Sequence, residues 1–327
     1  MIHRLFDTFV FNGDADGICG LQQLRLAEPR APKVSLITGV KRDIALLDRV
    51  PATAGTACTV LDVSLDTNRA ALETLLAAGV NVRYFDHHFA GEIPAHPNLD
   101  AHIDLAPTVC TSLLVDRYLR GRFRLWALVG VFGDSLTEEG RGIARELDLS
   151  AADTERLREL GVAINYNAYG ETISDLHVPP VELAEELLPF ADPREFIEKS
   201  TTFRRLHDGF KEDMAEARRI EPLRKARGAV VFLLPNLPWA RRASGTLAND
   251  LAKANADSAV AIVSHKTDGG YLVSVRVPRE CATSAESFCR QFPTGGGRRS
   301  AAGINHLPDA DLQNFVRAFE QSFCTAT

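Results

Sequence analysis

The chain has 327 residues, 45% hydrophobic and 24% charged, a mix that excludes fibrous and disordered classes and gives enough length for two domains. No apolar run approaches the roughly 18 residues of a membrane span, and six cysteines without CxxC or paired spacing suggest neither a zinc knuckle nor a disulfide framework. A net charge of −6 argues against any requirement for a long nucleic-acid ligand, which calls for a more basic chain.

In chain order, the opening MIHRLFDTFVFNGDADG carries acidic residues and a glycine turn where a signal peptide would be apolar, so a cytoplasmic location with no membrane partner is expected. The cysteines (Cys19, Cys58, Cys110, Cys281, Cys289, Cys324) then read mostly as small buried hydrophobes. Strands are expected over 7–12, 34–40, 57–63 and 81–85, with helices over 18–27 and 68–78, the second capped by Ser64 or Asp66 and stopped by Gly79. Strands alternating with helices imply a parallel sheet, and ligands of such sheets bind at the carboxyl ends of the strands. Further helices are expected over 107–119 and 125–133. Residues 151–222 are helical, charged and broken by Pro179-Pro180, Pro189 and Pro193, which reads as a connector. Strands return over 228–234, 258–264 and 271–277, with helices over 244–255, 284–291 and 309–323. The fold class is α/β in two lobes: a parallel-sheet lobe (1–150), a helical connector (151–222) and a smaller α/β lobe (223–327).

Charge divides unevenly between the lobes. Residues 223–327 carry 13 Lys+Arg against 8 Asp+Glu, and the remaining 222 residues carry 24 against 35. An acidic lobe concentrates metal cations and a basic lobe attracts phosphates, although chance partition of solvated charge gives the same count.

Four segments of the acidic lobe place carboxylates or histidines where apolar elements end: Asn12-Gly-Asp14-Ala-Asp16-Gly17, Asp62, Asp86-His87-His88 and Asp134. The first fits the opening of a calcium-binding EF-hand loop, but Gln23 stands where that loop needs a bidentate Glu. Singly, each has a plain reading as a turn, a helix cap or a helix end. Together they crowd carboxylates into one place, which repel unless cations neutralise them. Carboxylates mixed with imidazole suit Mn²⁺ or a related divalent ion, whereas an all-oxygen set favours Mg²⁺ or Ca²⁺.

In the basic lobe, Gly295-Gly296-Gly297 lets the backbone approach a ligand and offers N–H groups to an anion, with Arg298 and Arg299 directly after it. A surface loop has the same composition. Arg241-Arg242-Ala-Ser244, before a helix capped by Ser244, reads either as a second anion site or as solvated arginines. Asn165-Tyr166-Asn167-Ala-Tyr169 reads as a helix-ending turn, with contact to a base or sugar as the alternative.

Asp86-His87-His88 after a strand, with Asp14-Ala-Asp16 near the N-terminus, resembles the DHH phosphoesterases. The run Gly295-Gly-Gly-Arg298-Arg299-Ser-Ala-Ala-Gly303 resembles the GGGHxxAAG motif of their associated C-terminal domain, so the resemblance covers both lobes. It implies a metal-dependent phosphoesterase that hydrolyses small nucleotides or short oligonucleotides through a metal-activated water. Asp14, Asp16, Asp62, His87 and Asp134 would bind two ions, Mn²⁺ with Mg²⁺ or Co²⁺ as alternatives, and Asp62 would bridge them. Asp86 and His88 would form the catalytic pair, His88 nearest the scissile phosphate, with Arg298, Arg299 and the three glycines binding substrate. Two positions depart from the family. Val10 stands where a His ligand is usual, and Arg298 replaces the motif's His, keeping phosphate binding but not proton transfer. The alternatives are a single-strand DNA exonuclease of RecJ type, disfavoured by the acidic total and the lack of a leftover segment for an extra domain, and a non-catalytic nucleotide sensor.

Overall fold

A computed structural model describes residues 8–28 and 34–323, so Asp7 of the first expected strand and Cys324 lie outside the described residues. The chain divides into two units, Met1–Ala168 with Thr172–Gly209, and Tyr169–Glu171 with Phe210–Thr327.

In the first unit, β1 (Thr8–Phe11), β2 (Ser35–Ile37), β3 (Ala57–Leu61), β4 (Asn81–Asp86) and β5 (Leu99–Ile103) form one sheet in the order β2-β1-β3-β4-β5, parallel throughout. The central strands are covered on both faces, which is why they read as unbroken apolar runs. Phe9, Phe11, Leu61 and Phe85 pack on one side, while Val10, Val60 and Val82 pack on the other. The fifth strand escapes a hydropathy reading because Leu-Asp-Ala-His-Ile is polar and lies at the sheet's edge.

The helices of this unit are α1 (Ala15–Ala27), α2 (Arg69–Ala77), α3 (Thr111–Tyr118), α4 (Arg124–Gly133), α5 (Thr137–Glu146), α6 (Ala151–Asn167), α7 (Pro180–Leu187) and α8 (Pro193–Lys199). A ninth, α9 (Thr201–Arg218), runs across the boundary between the units. Asn68 takes the cap position of α2 in place of Ser64 or Asp66, its side chain bonding the Ile44 and Ser64 carbonyls. Gly79 ends that helix at φ 81°, a left-handed conformation that suits glycine. Two glycines let α1, α4 and α6 approach closely: a Cβ at Gly133 would meet Ala15 Cβ at 2.2 Å, and one at Gly161 would meet the Val129 carbonyl at 2.3 Å. Fully buried Trp126 in α4 donates its indole N–H to the Phe190 carbonyl at 3.0 Å.

In the second unit, β6 (Arg224–Ala226), β7 (Ala229–Leu234), β8 (Ala259–His265), β9 (Tyr271–Arg276), β10 (Gly295–Gly297) and β11 (Ala301–Leu307) form a mixed sheet in the order β10-β11-β9-β8-β7-β6. Only β7 and β8 run parallel. One face carries α10 (Pro238–Ala254), with Val260 and Ile262 against Ala243 and Leu247. The other carries α11 (Ala285–Cys289) and α12 (Leu312–Phe323), with Val273 and Val275 against Phe288, Phe315 and Phe319.

Ser244 does not begin α10. Pro238 does, its fixed φ preorganised for the first turn, and this puts Arg241 and Arg242 inside the helix. Arg242 is buried and forks onto Asp213 at 2.7 and 2.9 Å, so for this residue neither reading, an anion site at the helix N-terminus or a solvated arginine, holds. Among the described residues, no helix is long and apolar enough to cross a membrane.

Candidate metal centre

Three adjacent strands deliver the acidic segments to one place. Asp14 and Asp16 follow β1, Asp62 follows β3, and Asp86-His87-His88 closes β4. Asp134 arrives from the last turn of α4, steered towards Asp16 by the close packing at Gly133.

Each side chain is held by the backbone around it. Both oxygens of Asp16 accept amides from the first turn of α3, Thr111 N at 2.6 Å and Ser112 N at 2.7 Å. His87 Nδ1 lies 3.0 Å from the Val109 carbonyl, so its proton sits on Nδ1 and the Nε2 lone pair faces the carboxylates. From Nε2 it is 3.4 Å to Asp62 Oδ1, 3.9 Å to Asp16 Oδ2 and 4.0 Å to Asp134 Oδ2. Asp62 sits at φ 58°, left-handed backbone that a residue other than glycine rarely adopts and that concentrates at functional sites. His88 is 46% exposed, and its Nδ1 is fixed 2.7 Å from Oδ1 of buried Asp86.

The cluster is electrostatically frustrated without a cation. Burial, and then the charges of Asp14, Asp16 and Asp86, push the Asp62 carboxyl well above its ordinary value. Burial, and then Asp16, push Asp134 up to about 7. Its place at a helix C-terminus, the negative end of the dipole, adds to the strain. The hydrogen bond that His88 Nδ1–H donates to the Asp86 carboxylate raises the pKa of His88.

The residues fit a divalent ion. Two sets of ligand atoms gather within 4.8 Å, Asp62 with His87 and His88, and Asp16 with His87 and Asp134. Asn12 Oδ1 and Asp86 Oδ2 are buried acceptors that meet no donor among the described residues. Mixed oxygen and imidazole donors suit a transition metal such as Mn²⁺ better than an all-oxygen set would.

Asp14, expected among the ligands, belongs to neither set. Its Oδ1 caps α1, accepting from Asp16 N and Gly17 N at 3.1 and 3.2 Å, and its Oδ2 lies 2.6 Å from Lys41 Nζ. Although burial works to raise it, the charge and hydrogen bond of Lys41 hold this carboxyl below its ordinary value. Lys41 had no signal as a site residue in the sequence, and its partner Asn165 was read there only as part of a helix-ending turn or a base or sugar contact, because neither sits in a cluster of metal-ligating types. Asn165 does lie in the helix-ending turn of α6, and Asn167 in the same turn is a buried clamp on both backbone groups of Val178. Val10 is wholly buried core.

In the second unit, Gly295–Gly297 forms a strand that pairs with Gly303 and its neighbours, so part of its backbone is engaged in a ladder. Gly295 and Gly297 are required by packing, since a Cβ would meet the Cys289 carbonyl at 1.8 Å and Ala302 Cα at 2.4 Å. Gly296 has open space beside it. Arg298 and Arg299 are exposed in the turn between β10 and β11, and Arg299 donates to the Cys281 carbonyl at 3.3 Å.

No protein-family model matches the chain, and no curated protein matches it in sequence. Solved structures do match. A manganese-bound RecJ exonuclease is 20% identical with a TM-score of 0.64, over 96% of this chain and 89% of that one. RecJ of Thermus thermophilus, in complex with Mn²⁺, is 22% identical with a TM-score of 0.62, and this chain spans about half of it (51%). A pGpG-specific phosphodiesterase of Vibrio cholerae is 11% identical with a TM-score of 0.51, over 96% and 97% of the two chains. With its parallel five-stranded sheet, acidic strand ends and second mixed sheet, the chain has the fold of the DHH superfamily.

Proposed function

We propose that the chain is a divalent-metal-dependent phosphoesterase acting on small nucleotides or short oligonucleotides. The observation that carries this reading is the convergence of Asp16, Asp62, Asp134 and His87 Nε2 beside a half-exposed histidine, His88, oriented by a buried carboxylate. A divalent ion held by these four residues would supply a Lewis acid for a phosphoryl oxygen and lower the pKa of water. The chain's own groups do the rest. Val109 fixes the tautomer of His87, and the amides of Thr111 and Ser112 fix the Asp16 carboxylate. Asp86 keeps the proton on His88 Nδ1 and favours the charged imidazole, so that Nε2 donates to a phosphate oxygen. In the second unit, the exposed Arg298 offers a planar fork suited to a phosphate.

Likeness to the two RecJ structures, at higher TM-scores than to the pGpG phosphodiesterase, supports exonucleolytic cleavage of single-stranded DNA as a second reading. Both readings are phosphodiester hydrolysis and one panel separates them: Mn²⁺-supported turnover of pAp, linear and cyclic dinucleotides, short RNA and DNA oligomers, and long single-stranded DNA. Fastest turnover on the smallest substrates, abolished by EDTA and restored by Mn²⁺, is the expected result. Preference for long DNA selects the second reading, and no turnover of any substrate overturns both in favour of a non-catalytic nucleotide sensor.

A further inference from the structure

We propose that the ammonium of Lys41 is a permanent cation of this centre, occupying Asp14 in place of a second metal, so that the site takes one divalent ion. The inference rests on the phosphoesterase reading and concerns the make-up of the same site.

The first argument is the number of lone pairs. The two candidate ligand sets share His87, and His87 has only Nε2 to give, because Nδ1 is committed to the Val109 carbonyl. One nitrogen lone pair holds one ion, so the sets describe overlapping halves of a single site. Of the acidic segments' expected ligands, Asp14 is the one that joins neither set, and a second ion beside the first would call on it.

The second argument is that Asp14 is already engaged at both oxygens. Oδ1 caps α1 through two backbone amides, and Oδ2 receives Lys41 Nζ at 2.6 Å. The lysine is itself tied down: Nζ also meets Asn165 Oδ1 at 3.1 Å, and its backbone N–H donates to the Ala168 carbonyl at 3.0 Å. Both partners belong to the end of α6, so the ammonium is placed by the helix framework. Val10, packed in the apolar core, supplies no donor on the Asp14 side.

A tether that merely fastened residues 39–43 to α6 would affect stability and leave the ion count alone, so the count is the discriminating readout. The experiment uses the full chain, stripped with chelator and titrated with Mn²⁺ in calorimetry, with electron paramagnetic resonance to distinguish isolated ions from exchange-coupled pairs. The parent is expected to bind one isolated ion per chain. Lys41→Met, which removes the charge and keeps the stem, is expected to admit a second ion coupled to the first. Asp14→Asn, which retains a good helix cap, is expected to bind one ion as the parent does. Two coupled ions in the parent overturn the proposal, and so does loss of Mn²⁺ binding in Asp14→Asn. A single ion in correctly folded Lys41→Met also overturns it. Should that variant not fold, the parent and Asp14→Asn still decide. Because the count is read without substrate, an inactive chain that binds one ion fails as a phosphoesterase while the ion count stands. An active chain that binds two fails only here.

Discussion

His88 Nδ1 lies 2.7 Å from Oδ1 of Asp86, two residues earlier in the chain, and the carboxylate is fully buried while the imidazole reaches solvent. A single tripeptide at the end of β4 thus carries a solvent-facing imidazole and the carboxylate that aims it. In the proposed reaction Asp86 is a positioning residue. Asp86→Asn is expected to lower kcat/KM by about ten- to a hundredfold, the usual effect of removing such an orienting partner, with bound metal unchanged. Since Asp86 is the main cause of the raised His88 pKa, losing it moves the alkaline limb of the rate profile to lower pH. A variant whose rate falls while its profile keeps the parent's shape would show that Asp86 only supports the fold.

Asp62 contributes its carboxylate from left-handed backbone. Asn tolerates that conformation nearly as well as Asp, so Asp62→Asn tests charge with little added strain. It is expected to weaken Mn²⁺ binding by about a hundredfold or more, at least matching the loss of an outer partner of a metal ligand, and to abolish turnover. Parent-like affinity and rate in this variant would remove Asp62 from the ligand set.

Asp134 rises from 3.8 to about 7 through burial and the neighbouring Asp16. A carboxyl that holds its proton more tightly when folded stabilises the fold at low pH and loses that contribution as pH rises through its folded pKa. In metal-free protein, the melting temperature of Asp134→Asn minus that of the parent should therefore increase from pH 4 to pH 7. Saturating Mn²⁺ should reverse the order by stabilising only the parent. A pH-independent difference in the metal-free state would show that Asp134 carries no electrostatic strain.

Arg298 and Arg299 are neighbours with different surroundings, because Arg299 already bonds the Cys281 carbonyl. Losing one charge-assisted hydrogen bond costs about 1.5–3 kcal/mol, or roughly ten- to 150-fold in kcat/KM. Arg298→Ala should show that loss, chiefly in KM if the contact is made in the ground state, and Arg299→Ala should show much less. Steady-state kinetics on the best substrate decide. Arg298→Ala within twofold of the parent would reduce the glycine run to a turn.

The acidic centre was legible because each of its segments ends an apolar run, a pattern that survives without any knowledge of packing. Asp86-His87-His88 and Asp62 sit at strand ends that the hydropathy alternation locates to within about two residues. Lys41 was not legible, because it acquires its role only when Asn165 at the end of α6, 124 residues away in sequence, folds against it. The amides that hold Asp16 were hidden for the same reason, since backbone groups leave no trace in residue type. At α10 the sequence pointed to a start at Ser244, yet the helix begins at Pro238, which draws Arg242 inward onto Asp213. The glycine run is the reverse case: its composition suggests a loop, yet close approach of Cys289 and Ala302 demands glycine within a strand.

The chain holds two tryptophans, and the fold assigns one to each unit: Trp126 wholly buried in α4, and Trp239 partly buried in α10. Intrinsic fluorescence is therefore a built-in pair of reporters. Trp126→Phe would leave emission from the second unit alone, and Trp239→Phe would leave the first, so chemical denaturation of each half can be followed in the intact chain without an added dye.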